Sequence, residues 1–151
     1  MHLKGNQIVN AAPSRVWEML MDPNSLAKVV PGITSLEKLS ENSFKTTLNI
    51  KIGPVNGSFS GNLHLEDITE KKSFTLKTIQ QSKIGNANAD VQIKLAPLDD
   101  DKTEVIFDGD VKLSGMLASM GQRLLGGIAN TLTKDFFNNL ENEIAVTTNK
   151  G

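Results

Sequence analysis

The chain has 151 residues, a formal net charge of -1 and no cysteine, with 16 Lys and Arg against 17 Asp and Glu. This length suits one domain with its own core. The lack of cysteine excludes disulfides, thiolate catalysis and cysteine-ligated metal sites. The balanced charge argues against nucleic-acid binding. Neither a signal peptide nor an apolar run of about 18 residues is present, so we expect a cytoplasmic protein with at most peripheral membrane contact.

The N-terminal part predicts one strand and two short helices. Residues 1–10 are strand-like, and after Pro13 the apolar residues share one face of a helix. Asp22-Pro23 ends this helix. A second short helix follows and ends at Pro31-Gly32.

From Phe44 to Leu113, apolar and polar residues alternate with a period of two in successive segments. This pattern predicts an antiparallel sheet of six or seven strands with one buried face. The inward-facing strand residues are expected to be Leu48, Ile50, Phe59, Leu63, Leu76, Val91, Ile93 and Phe107.

The last third predicts one long helix from about Met116 to Ile144, roughly 29 residues without proline. Its apolar stripe winds around the helix and changes direction near Gly126-Gly127, where we expect a kink, a break or close contact with a neighbour. The helix residues expected to face the sheet are Leu117, Gly121, Leu124 and Ile128.

These elements predict a single α+β domain over residues 1–145 and a flexible tail over residues 146–151. A curved antiparallel sheet around one long helix cannot pack tightly everywhere, so an apolar cavity is expected between them. Small residues at inward positions favour a cavity over a filled core. These are Gly57, Gly61, Gly109 and Gly121.

The residues offer little catalytic chemistry. His2 and His64 are interpreted as surface histidines, and Asp99-Asp100-Asp101 as a solvated hairpin turn. We therefore expect no metal, no cofactor and no catalytic residue. Arg123 either makes a polar contact with a ligand or pairs with a nearby carboxylate.

Several stretches resemble one known family. They are Ala12-Pro13 with Val16-Trp17, the run from Gly53 to Gly61, the run from Gly115 to Leu124, and Phe136-Phe137. With them the chain resembles the carbon monoxide dehydrogenase G-subunit family, within the START and polyketide-cyclase-like (SRPBCC) superfamily. The resemblance implies a helix-grip fold, in which a curved sheet wraps around a long C-terminal helix and holds a hydrophobic ligand.

The resemblance also implies a function. We expect non-catalytic binding of an apolar small molecule, a quinone or a lipid-like compound, by an accessory protein of a molybdenum-containing dehydrogenase of the carbon monoxide dehydrogenase type. One alternative is a ligand-free interaction module that recruits that enzyme through Phe137 and the Pro31-Gly32 loop. The other is a polyketide-cyclase-like enzyme that acts through the shape of its pocket and one polar residue, for which Gln7, Gln80, Asp90 or Arg123 would have to serve.

Overall fold

The computed structural model describes residues 1–149. The strands are β1 (His2–Val9), β2 (Ile33–Ser40), β3 (Ser43–Ile52), β4 (Val55–Thr69), β5 (Ser73–Ser82), β6 (Gly85–Asp99) and β7 (Lys102–Leu113). The helices are α1 (Pro13–Met21), α2 (Pro23–Val29), a 3₁₀ helix (Gly115–Ser119) and α3 (Gln122–Asn149).

All strand pairs are antiparallel, and the sheet order is β1-β7-β6-β5-β4-β3-β2. Strands β2 to β7 follow one another as hairpins, and β1 joins the far edge beside β7. The predicted α+β helix-grip architecture is confirmed, with seven strands, two short helices after β1 and one long C-terminal helix.

The apolar core consists of two clusters. The first cluster lies where α1, α2 and the C-terminal half of α3 meet the sheet, and it includes Trp17, Phe44, Phe74 and Leu140. The second cluster joins the other end of the sheet to the 3₁₀ helix and the start of α3; its buried members are Val55, Phe59, Leu117 and Ile128. The concave face of the sheet therefore continues from one cluster to the other beneath α3.

The C-terminal helix differs from the prediction at its start. The chain forms the 3₁₀ helix first, breaks at Met120 and Gly121, and enters α3 only at Gln122. Gly121 has a φ of +32°, a backbone region that favours glycine, and this conformation separates the two helices. The break is therefore not at Gly126-Gly127, through which α3 runs without interruption.

The 3₁₀ helix is held against the turn between β5 and β6. The backbone N–H of Leu117 donates to the carbonyl oxygen of Ile84 at 3.0 Å, and that of Ser114 donates to Asn86 at the same distance. At the other end of the chain, α3 extends to Asn149, so the expected tail over residues 146–151 begins inside a helix. Lys150 and Gly151 lie outside the described residues.

Two inward glycines are required for strand packing and not, as predicted from the sequence, for a cavity. A β-carbon on Gly61 would overlap the carbonyl oxygen of Ile79, and one on Gly109 would overlap that of Asp90. These glycines allow adjacent strands to approach closely where the sheet curves, and they do not create free space. At Gly57, by contrast, the nearest atom to an added β-carbon is Ile84 Cδ1 at 4.0 Å.

The two glycines of β4 provide a matched test. We expect Gly61→Ala to lower the free energy of unfolding by about 2–4 kcal/mol because the strands must move apart. Gly57→Ala should change it by less than about 0.5 kcal/mol. Urea denaturation of both variants measures the difference, and equal stabilities would contradict the close approach at Gly61.

His2 anchors the edge strand β1 to β7 on the outer face. Its imidazole nitrogens lie 2.9 Å from Asp108 Oδ1 and 2.9 Å from Asp110 Oδ1. The hydrogen bond with Asp110, followed by the negative charges of both carboxylates, raises the pKa of His2 above 6.5. The same contact lowers the pKa of Asp110.

Because folding raises the pKa of His2, the contribution of this residue to the free energy of unfolding depends on pH. The pairing favours the folded state fully below the unfolded pKa of His2 and is lost as the pH rises through the folded pKa. We expect NMR titration of the His2 ring to give a pKa above 6.5, and Asp110→Asn to lower it. Asp101→Asn, in the β6–β7 hairpin turn, is the control and should leave it unchanged.

Candidate functional site

The predicted inward residues all lie on the concave side, but they divide between the two clusters. Packed at the first cluster, and only partly buried, are Leu63, Leu76, Ile93 and Phe107. At the second cluster, Phe59, Leu117 and Ile128 are buried, and Leu48 and Ile50 are partly buried. Val91 is also partly buried and pairs with Leu76 and Gly109.

The inward face of the sheet is buried unevenly. Of the eight predicted strand residues, only Phe59 is fully buried, although all eight belong to the side covered by α3. Side chains in a close-packed interior leave few voids larger than a water molecule. The seven partly exposed side chains are therefore consistent with accessible space next to them.

An apolar groove of about 730 Å³ opens where the β3–β4 turn meets the start of α3. The lining side chains are mostly aliphatic, and Arg123 and Thr131 are the polar residues among them. Gly127 also lines the groove, and a β-carbon added there would meet no atom within 4 Å. The groove is shallow and open to solvent over most of its extent, so it is not an enclosed cavity.

Three predicted helix residues line this groove on its exposed side. Leu124 is 43% exposed, so it does not face the sheet as predicted. Gly121 is exposed as well, and an added β-carbon would meet nothing, so no close approach to the sheet explains it. Within residues 1–149, Arg123 has no carboxylate at salt-bridge distance, and the predicted ion pair is not found.

A polar row crosses the concave face between the two clusters. Thr46 pairs with Gly61, and Gly61 pairs with Gln80. Thr46 and Gln80 are 4% and 8% exposed. The next row towards the first cluster contains Phe44 and Leu63, and the next row towards the second contains Leu48 and Phe59.

The amide of Gln80 is held by two threonines. Nε2 donates to Thr46 Oγ1 at 2.9 Å and to Thr78 Oγ1 at 2.8 Å. Oε1 is buried and has no hydrogen-bond partner among the described residues. From the sequence, Gln80 is a candidate only for a catalytic amide, although the alternation Phe74, Leu76, Thr78, Gln80 already places it on the inward face.

The other polar residues lie outside this region. Asp90 is exposed on the outer face near Lys77, which pairs with Glu66 at 3.0 Å. A polar depression of about 780 Å³ on that face includes His64, whose Nδ1 lies 2.9 Å from Ser43 Oγ. In the hairpin turn the N–H of Asp101 donates to Asp99 Oδ1, as expected of a solvated turn.

The Phe136-Phe137 pair belongs to the first cluster. Phe137 is 7% exposed and stacks on Phe107 with ring centroids 6.2 Å apart. Phe136 is half-buried and meets Phe137 edge to face. The prediction that Phe137 forms a contact surface is therefore wrong, because helix packing buries its ring. In residues 1–149, no helix has the length and apolar character to cross a membrane.

Comparison with solved structures supports the fold. A conserved protein from Geobacillus kaustophilus is 32% identical with a TM-score of 0.94, and the match covers 97% of each chain. A START superfamily protein from Mycobacterium smegmatis is 14% identical with a TM-score of 0.77, over 97% of this chain and 98% of that one. The Zhui aromatase/cyclase from Streptomyces sp. R1128 is 12% identical with a TM-score of 0.71, over 96% and 93%.

No curated protein matches the chain. A family model does match, and it describes the G-subunit of carbon monoxide dehydrogenase (CoxG). The match extends over residues 5–145, nearly the whole of the domain described above. The chain therefore belongs to the carbon monoxide dehydrogenase G-subunit (CoxG) family.

Proposed function

We propose that this protein binds an apolar small molecule between the concave face of the sheet and α3, without transforming it. The observation that carries the proposal is the partial exposure of seven of the eight predicted inward strand side chains, all except Phe59, which a filled core would bury. The groove beside Gly127 provides an opening at the start of α3. The ligand would lie along the predicted residues from Leu48 to Phe107 and leave through the groove lined by Leu124.

The groove favours a ligand that is largely apolar. Its walls are mainly aliphatic side chains and glycine, which gain free energy when they are removed from water. Arg123 is exposed at the edge of the groove and can contact a polar or anionic end of the ligand that remains near solvent. A quinone or another lipid-like molecule has this division between a polar end and an apolar remainder.

The family suggests the partner. As a member of the CoxG family, the protein would serve a molybdenum-containing dehydrogenase of the carbon monoxide dehydrogenase type as an accessory protein. We place this role in the cytoplasm, as expected from the sequence, with membrane contact no more than peripheral. Copurification with a coexpressed dehydrogenase tests the partnership separately from ligand binding.

The two alternatives predict different results. A polyketide-cyclase-like enzyme needs polar groups beside its substrate, but Gln7 and Asp90 are exposed. Only Gln80 and Arg123 of the four proposed polar residues could then serve such an enzyme. A ligand-free interaction module could not use the buried Phe137. Exposed apolar side chains at the C-terminal end of the sheet region include Leu124, which lines the groove, and Met116 of the 3₁₀ helix, which is 59% exposed.

Native mass spectrometry of freshly purified protein tests the proposal, followed by solvent extraction and identification of any released compound. We expect one apolar molecule per chain, or stoichiometric uptake after incubation with quinones and fatty acids. A mass that remains that of the free chain in both experiments would contradict the proposal and favour the interaction module.

Two glycine substitutions in α3 test the position of the opening. Gly127→Leu places a side chain in the groove, so we expect ligand affinity to fall at least about tenfold as aliphatic contact area is lost. Gly126→Leu is the matched control, because Gly126 does not line the groove. Each change should stabilise the helix by up to about 1 kcal/mol.

Thermal unfolding and ligand titration of both variants provide the measurement. Equal ligand affinity in two folded variants would show that the ligand does not use this groove.

A further inference from the structure

The unpartnered oxygen of Gln80 is the feature of the concave face that packing alone does not explain. The side chain is 8% exposed, and its Oε1 has no partner within the described residues. Removing an amide oxygen from water without a replacement hydrogen bond is costly, and buried polar groups are therefore nearly always paired. A partner outside the chain would remove this cost.

The surrounding hydrogen bonds determine which end of the amide is free. The Thr78 hydroxyl donates its proton to the carbonyl oxygen of Asn62 at 2.8 Å, so it can only accept from Gln80. The Thr46 hydroxyl has the carbonyl of Gly61 at 3.5 Å as its own acceptor. Because the Thr78 hydroxyl proton is already used, only the NH₂ group of Gln80 can face Thr78, and its second proton is then directed to Thr46.

The position of this oxygen agrees with the proposed binding region. Gln80 belongs to the row between the two apolar clusters, on the face covered by α3. Ile52 in the groove comes six positions after Thr46 of this row along β3. At 3.4 Å per residue the two are about 20 Å apart. An elongated molecule could reach the row with one end while its apolar remainder extends towards the groove.

We propose that Gln80 Oε1 accepts a hydrogen bond from a hydroxyl or N–H group at the inner end of the apolar ligand. The inference rests on the proposed function and narrows it to ligands that carry a donor, such as phenols, alcohols and hydroquinones. A molecule with acceptors alone, such as an oxidised quinone or an ether, leaves Oε1 unpaired. Of a quinone and its hydroquinone, the reduced form therefore binds more tightly.

Two naphthalene compounds form a suitable probe pair. 2-Naphthol carries a hydroxyl donor, and 2-methoxynaphthalene has the same ring system with an oxygen that can only accept. We expect the ratio of their dissociation constants, ether over naphthol, to be about tenfold higher for the wild type than for Gln80→Met, whose side chain has a similar length but no amide. Taking this ratio between proteins cancels the different hydration of the two probes.

Gln81→Met is the matched control, because Gln81 follows Gln80 on the same strand and is exposed. Its ratio should equal that of the wild type. If Gln80→Met fails to fold, Gln80→Leu replaces it. A measurement without any variant is the ¹³Cδ resonance of Gln80 in the wild type, which should move downfield with 2-naphthol and remain in place with the ether.

The outcomes separate the two proposals. If both probes bind but the ratios are equal in all variants, or the resonance responds alike to both, the role of Gln80 is wrong and ligand binding stands. An ordered water on Oε1 would give this result. If neither probe binds the wild type, and quinones and fatty acids fail as well, the proposed function fails together with the inference.

Discussion

At Gly61 and Gly109 adjacent strands lie so close together that a β-carbon would overlap a carbonyl oxygen of the neighbouring strand. These two contacts involve β4 with β5 and β6 with β7, so they act on both sides of the centre of the sheet. A sheet that curves this strongly cannot follow a straight helix along its whole length. The core therefore divides into two clusters, and the helix spans the distance between them.

The division of the core means that the two ends of the domain are fixed separately. The first cluster fixes α1, α2 and the C-terminal half of α3 through fully buried residues such as Val16 and Leu140. The second cluster fixes the 3₁₀ helix and the beginning of α3. With both ends held, the region between the clusters carries the buried polar residues Thr46 and Gln80, which are 4% and 8% exposed.

The polar row gives this middle region its chemistry. An apolar surface binds any apolar molecule of suitable size, whereas a buried hydrogen-bonding group discriminates between molecules with and without its partner. In this protein the threonines fix the Gln80 amide in one orientation, which leaves its oxygen as the free end. Arg123 is the charged residue at the exposed edge of the groove.

The sequence alone determined the order of the main elements, the inward phase of strands β3 to β7 and the family, because these depend on local periodicity and short motifs. It also predicted correctly that Phe59 and Ile128 face the core, since an apolar residue in the apolar phase of an amphipathic strand or helix is expected on the buried side. Only the tertiary structure decided the break at Gly121, the exposure of Leu124 and the free oxygen of Gln80. Each of these depends on atoms distant in sequence: the β5–β6 turn that holds the 3₁₀ helix, the β3–β4 turn beside α3, and a threonine of β3 that reaches a glutamine of β5. Periodicity specifies the face to which a residue belongs, but the packing of separate elements decides whether that face is covered and whether its polar atoms find partners.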